Sequence, residues 1–274
     1  MFALRCPKVL ITIVLLISWL EPFEFQGGQW DMVDLFAGVA RISRLGRAHG
    51  KKCAAMDIGY HENRRVFDIN EEPGFVLAVM TILEGTYEEV FACLGVCCSS
   101  WVSTSRGSTH RSWILPMGWQ GYQTVEAANK MVSRTVLIVM VILAMRGVWL
   151  LEQPSSSLIM RHDRFVEFQD LMQALQMRFF RQSFWMRALG HQTAKRTLLW
   201  SNTAWLVDFD LGRLARDKLR GEVQTTDRYK SRDGRSRWKG NKNLKSTQTL
   251  GWALTTFVCA RARIFLCSND VNGS

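Results

Sequence analysis

With 274 residues and an apolar share of 47%, the chain can bury a full core, which suits one globular domain of roughly 200 to 250 residues plus an extension. A formal charge of +11 points to an anionic partner, nucleic acid first and an acidic membrane surface second. The seven cysteines, an odd number with no CxxC pair and no matching histidine spacing, argue against a zinc site and against a disulfide framework, so no metal is expected.

At the N-terminus Arg5 and Lys8 precede a largely apolar run from Val9 to Leu20. The run has the shape of a secretory signal or a short signal anchor, yet it is short for a bilayer span and no small-x-small cleavage site follows it. Residues 1–26 are therefore read as an apolar extension or targeting segment, and membrane association would go through residues 9–20 alone. An intracellular location is favoured, with a secretory or anchored one as the alternative.

The next stretch organises the chain. Met32, Val33, Leu35 and Phe36 form an apolar run that breaks at Ala37-Gly38, and Val39, Ile42 and Leu45 continue at helical spacing. A buried strand is expected to turn sharply into a helix that reaches His49, with Gly50 as its stop. Gly38 lets the backbone approach a bound molecule closely, as in the first strand-turn-helix of nucleotide-binding α/β folds. Cys53–Met56 reads as a second strand and leads to Asp57, about twenty residues on, where such folds hold ribose hydroxyls; the alternative is a solvent-facing loop acid. Val66–Ile69 repeats the pattern in short form, and Asp68 either receives an adenine amino group or caps the helix expected from Pro73 to Leu83.

Val90–Leu94 reads as a buried parallel strand whose exit loop holds Cys97, Cys98, Ser99, Ser100 and Trp101. Arg106, His110 and Arg111, among Ser, Thr and Gly, suggest a mobile basic segment over the site rather than core. Gly121 to Arg146 is expected to be a long helix, buried at its end; its apolar run of about ten residues, flanked by Arg134 and Arg146, is too short for a span. Val148–Leu151 is a further strand, ending at Glu152-Gln153-Pro154. Asp163 is expected to cap a helix reaching Met177. Ser183–Met186 and Thr197–Trp200 should pair antiparallel at one edge of the sheet, joined by a basic loop with His191, Lys195 and Arg196. The order predicts a doubly wound, mostly parallel α/β sheet with a terminal antiparallel hairpin, spanning residues 27–210.

From Leu211 to Leu250 twelve Lys or Arg stand against four Asp or Glu, so a net +8 of the excess falls in this basic region, ahead of a tail at 251–274. Asp233-Gly234 is a two-residue hairpin signal, and the register it implies sets Arg232 opposite Arg235, Lys230 opposite Arg237 and Tyr229 opposite Trp238. Such a cationic ribbon, with Lys230, Arg232, Arg235 and Arg237 as its charges, either lies along phosphates or is merely solvated.

In a doubly wound sheet, ligands sit at the carboxyl ends of the strands where the strand order reverses, which brings the loops after Phe36, Leu94 and Leu151 side by side. Asp34-Leu-Phe-Ala-Gly38 resembles the S-adenosylmethionine-binding turn of the cytosine-5 DNA methyltransferases, which have a Rossmann-like fold. Gly95-Val-Cys-Cys-Ser-Ser-Trp101 is similar to their Gly-Pro-Pro-Cys-Gln-x-Phe loop, and Leu151-Glu-Gln-Pro154 resembles their Glu-Asn-Val segment in order and position. The resemblance covers about residues 31–205. It implies that Cys98 is the nucleophile and Glu152 the acid that holds and protonates the base. It also implies that Asp34, Phe36, Ala37 and Gly38 contact the methyl donor, with Asp57 on its ribose and Asp68 on its adenine. Carbon 5 of cytosine is a poor nucleophile, so thiolate addition at the neighbouring carbon must precede methyl transfer, and the base must leave the duplex to be reached.

The sequence departs from the family at Ala40 and Arg41, where glycines are expected, and at Gln153-Pro154. It shows neither a clear Gln-x-Arg-x-Arg segment nor room for a large target-recognition domain. The expected activity is methyl transfer to nucleic acid, DNA before RNA. The alternatives are a non-catalytic nucleic-acid-binding descendant and a tethered or secreted α/β protein with a small-molecule substrate.

Overall fold

A computed structural model of the chain describes residues 8, 11, 28–86, 90–95, 101, 109–191, 193–210, 212–215, 223, 226–230, 233–234 and 236–240. Of the apolar run Val9–Leu20 only Ile11 is among them, so the targeting reading falls outside the described residues.

Six strands form a mixed, mostly parallel sheet in the order β2-β1-β3-β4-β6-β5. Strands β1 (Met32–Leu35), β2 (Cys53–Met56), β3 (Phe91–Leu94) and β4 (Val148–Pro154) all run parallel. Strand β6 (Arg196–Ser201) lies antiparallel between β4 and the edge strand β5 (Phe180–Trp185). The strands expected near Ser183 and Thr197 thus pair antiparallel, but the later one is the inner one.

Strands β1 and β3 are buried at every residue, because helices cover both faces of the sheet. Helix α1 (Arg41–Ala48) lies on one face, where Ile42 joins Met32, Cys53, Phe91, Cys93, Val148 and Leu150 in one apolar cluster. Helices α2 (Glu72–Leu83), α3 (Gln123–Ala144) and α4 (Asp163–Ala174) cover the other, where Phe75, Ile82, Val136 and Phe168 pack on Val33, Leu35, Leu94, Trp149 and Leu151. The alternation along each strand sends successive side chains to opposite clusters. Since right-handed crossovers place their helices on opposite faces when the chain reverses direction across a sheet, the reversal falls at β1, between β2 and β3.

Helix α3 is long and apolar enough to cross a membrane by length and composition, with half of that window buried inside the protein. Its one buried cation, Arg134, donates to the carbonyls of Ile69 and Glu71 at 2.8 and 2.9 Å and pairs with Glu72. A cation so completely partnered locks α3 to the start of α2 and is at home in a protein core.

Three sequence expectations are corrected. Val66–Ile69 forms no strand; Arg64–Val66 is a short 3-10 turn held by the Asn63 side chain, because the charged and polar residues from His61 to Arg65 keep the segment at the surface. Helix α4 is capped by His162, whose ring accepts from Arg164 N at 3.1 Å, and Asp163 is its first helical residue. The basic hairpin, β7 (Thr226–Lys230) with β8 (Ser236–Gly240), is shifted by one residue: Tyr229 faces Arg237, Arg228 faces Trp238 and Lys230 faces Ser236. The loop is therefore longer than a two-residue turn, so the Asp-Gly pair does not set the register.

Candidate functional site

Three loops leave the carboxyl ends of β1, β2 and β3 at the point of reversal. The first is tightly wound. Phe36, Gly38 and Ala40 all hold positive φ, at 59°, 54° and 53°, which folds the chain from strand to helix within five residues. Ala37 N donates to Met56 O at 3.0 Å and Ala40 N to Ala37 O at 2.8 Å. A Cβ at Gly38 would meet nothing within 4 Å, so the turn is open on that side.

Asp57 straps this turn to the exit of β2. Its Oδ2 accepts from Gly38 N and its Oδ1 from Gly59 N, each at 2.9 Å. Each carboxylate oxygen keeps a further lone pair. The loop after β3 touches the same turn through its backbone: Gly95 N donates to Leu35 O at 3.2 Å, and a Cβ on Gly95 would lie 3.5 Å from Phe36 O. Val39, Ile58 and Tyr60, in the segments after β1 and β2, are exposed. Burial, with the carboxylates of Asp34 and Asp57 nearby, pushes the Tyr60 phenol up to about 12.

Asp34 is placed differently from an open ligand contact. It is buried, and its Oδ2 accepts from Ser43 Oγ at 2.9 Å and Ser43 N at 3.4 Å, so it fastens β1 to the first turn of α1. Burial outweighs those two hydrogen bonds and raises its pKa from 3.8 to about 6. Asp68 is half-buried, and its Oδ1 accepts from Asn70 N at 2.9 Å in a local turn; the residue that caps α2 is Glu71.

Glu152 lies within β4 rather than beyond its end, opposite Leu199 of β6. Its Oε1 accepts from Lys195 Nζ at 3.0 Å, and both side chains are largely buried, at 14% and 18% exposure. Lys195 is 43 residues away in sequence, and only the antiparallel entry into β6 brings it there, so no local signal announces the pair. Cys98 lies outside the described residues, as do Arg232 and Arg235; of the remaining ribbon charges, Lys230 is exposed and Arg237 is placed by register alone.

Of the segment read as a mobile basic strap, Arg106 lies outside the described residues and His110 is exposed, but Arg111 is buried, contrary to that reading. Trp101 is fully buried and the Arg111 guanidinium lies 3.6 Å from its ring centroid. Arg111 also donates to Pro116 O and to Asn129 Oδ1, both at 2.8 Å. Stacking and these acceptors let a cation enter the interior, and burial lowers its pKa to about 10. His162 completes the cluster, 5.5 Å from Trp101, with Nε2 3.0 Å from Asn129 O; burial lowers it to about 4. A neutral ring that donates from Nε2 and accepts at Nδ1 satisfies both contacts.

The fold is that of a mixed α/β protein with a mostly parallel central sheet and some antiparallel strands. No model of a known protein family and no curated protein matches the chain.

Proposed function

We propose that the chain is an S-adenosylmethionine-dependent methyltransferase built on a Rossmann-like sheet, with nucleic acid as substrate and carbon 5 of cytosine in DNA as the acceptor. One observation carries the reading: the strand order reverses at β1, and there Gly95, after β3, bonds to the end of β1 at Leu35 O while Gly38 in the β1 turn is left open and tied to Asp57 after β2. That position in the strand order is where open α/β sheets take nucleotides.

The residues present fit the cofactor at three points. The turn at Phe36-Ala37-Gly38 leaves room for close approach, Asp57 keeps acceptor capacity for ribose hydroxyls, and Asp68 has an oxygen beyond the one used by Asn70. When bound, the cofactor supplies an activated methyl group. The protein's part is to hold the base. Glu152, held by Lys195 in the carboxyl half of β4, takes the base edge in this reading. Cys98, which follows the last residue of β3, Leu94, within one short loop of the sequence, supplies a thiol to add to the ring. The basic balance of the chain supplies the attraction for the substrate.

The test is incubation of the full chain with labelled methyl donor and mixed nucleic acids, followed by base analysis. Label on 5-methylcytosine that disappears in Cys98→Ser supports the reading. Absence of donor binding by calorimetry sinks it.

A second reading, a nucleic-acid-binding protein with a degenerate methyltransferase site, draws on Ala40, an alanine in a left-handed backbone where the resembling family has glycine. It is separated by retained nucleic-acid binding without donor affinity.

A further inference from the structure

A cavity lies away from the β1 turn, on the face of the sheet covered by α4. It measures about 690 Å³, within the range of small-molecule sites. Its walls are the loop after β4, α4, Arg181 of β5, Trp200 of β6 and Trp113 from the segment before α3.

The lining combines three chemistries. Trp113 is 64% exposed, and the Arg161 guanidinium lies 3.9 Å from its ring centroid, so an aromatic plane and a cation share the rim. Arg161 is also tied back to Trp113 O at 3.4 Å, which holds the pair together. Arg181 is exposed and, among the described residues, has no hydrogen-bond or ion-pair partner; the hydroxyls of Ser155 and Ser156 in the same lining are likewise unpartnered there. On the floor, Trp200 is 1% exposed and its indole N–H has no partner, a donor whose burial is costly until an acceptor meets it. Asp170 adds one acceptor to the rim.

We infer that this cavity binds one nucleotide unit, with its base stacked at Trp113 and its phosphate held by Arg161, Arg181 and the Ser155–Ser156 hydroxyls. Planar aromatic surface beside guanidinium groups is what a base followed by a phosphate requires. The single acid, Asp170, favours a base that carries an exocyclic amino group, which donates to it. The unit is either a free nucleoside monophosphate or one residue of a single strand, since both present the same base and phosphate. The inference does not depend on methyl transfer, because none of these residues belongs to the β1 turn or the segments beside it.

The experiment is calorimetric titration of the full chain, without methyl donor, with cytidine 5′-monophosphate, inorganic phosphate and a short oligocytidylate strand. Trp113→Ala and Arg181→Ala, both at exposed side chains, are compared with the parent after thermal melts show that each folds. Cytidine monophosphate binding that falls roughly tenfold in Trp113→Ala, and also falls in Arg181→Ala, supports the site. Phosphate binding should be weaker and sensitive to Arg181 alone. If the oligonucleotide loses affinity in the same variants the source is a strand; if only the mononucleotide does, it is a free nucleotide. No nucleotide binding, binding unchanged in both variants, or phosphate binding as tightly as the nucleotide overturns the inference. Because donor affinity is measured separately, failure here is distinguishable from failure of the methyltransferase reading.

Discussion

Ala40 holds φ 53° and ψ 40° immediately before α1, a left-handed backbone that costs a residue with a Cβ roughly 1 to 2 kcal/mol. Ala40→Gly removes the clash and adds some freedom to the unfolded chain, so a net gain of about 1 kcal/mol is expected. It is read as a higher urea midpoint at unchanged slope. Among the described residues, Asp34 and His162 are buried groups whose shifts make stability depend on pH between about 4 and 6.5, with opposite sign. Asp34 titrates near 6 in the folded chain against 3.8 ordinarily, so the folded state takes up its proton first. Stability then rises as pH falls from about 6 to about 4, by at most on the order of 3 kcal/mol. His162 titrates near 4 against 6.5, so its contribution is full above 6.5 and is lost as pH falls toward 4, to a similar extent. The two therefore offset each other in the parent. In Asp34→Asn, which still accepts from Ser43, denaturation midpoints should be higher than the parent's near pH 7 and should drop steeply between pH 6 and 4. A flat profile in that variant would show that His162 is not the opposing group.

At the scale of elements, two close contacts decide how helices meet the sheet. Gly74 opens α2 against the backbone of Asp68, and a Cβ there would come 2.2 Å from Asp68 O. Backbone cannot yield as a side-chain tip does, so Gly74→Ala should destabilise by roughly 1 to 3 kcal/mol, measured by chemical denaturation. Arg134 crosses from α3 to the same corner and satisfies two α2-entry carbonyls. The elements themselves were largely legible. The apolar runs at Met32, Cys53, Phe91 and Val148 became β1 to β4, Pro73 marked the first turn of α2, and Gly50 the stop of α1. The failures were where side chains, not periodicity, set the backbone. His162 displaced Asp163 as a cap because an imidazole nitrogen can accept the same amide, and Arg111 went inside because Trp101 gave it a flat surface to cover. The β7–β8 register escaped the Asp-Gly signal because loop length, not turn residues alone, fixes pairing.

For the whole molecule the outcome turns on charge and on the Glu152–Lys195 pair. If Glu152 holds the base edge, Glu152→Gln should lower kcat of methyl transfer by roughly 10²-fold or more, whereas Lys195→Met should do so less, through lost orientation. Equal and small effects would make the pair a structural strut between β4 and β6. Neutralising Arg232, Arg235 and Arg237 together should weaken nucleic-acid binding and flatten its dependence on salt, since released counterions scale with phosphate contacts. An unchanged salt slope in filter-binding assays would leave those charges merely solvated.

The sequence by itself determined the alternation of strands and helices, the turn at Gly38 and the concentration of positive charge near the C-terminus, because hydrophobic period, glycine and charge are local properties of the chain. Tertiary structure alone decided that Asp57 straps Gly38, that Asp34 is turned inward to Ser43, that Glu152 meets Lys195, and that Trp113, Arg181 and Trp200 surround one cavity. Each of these joins residues on separate elements. Such contacts follow from strand order and register, which depend on how all the buried faces are satisfied at once.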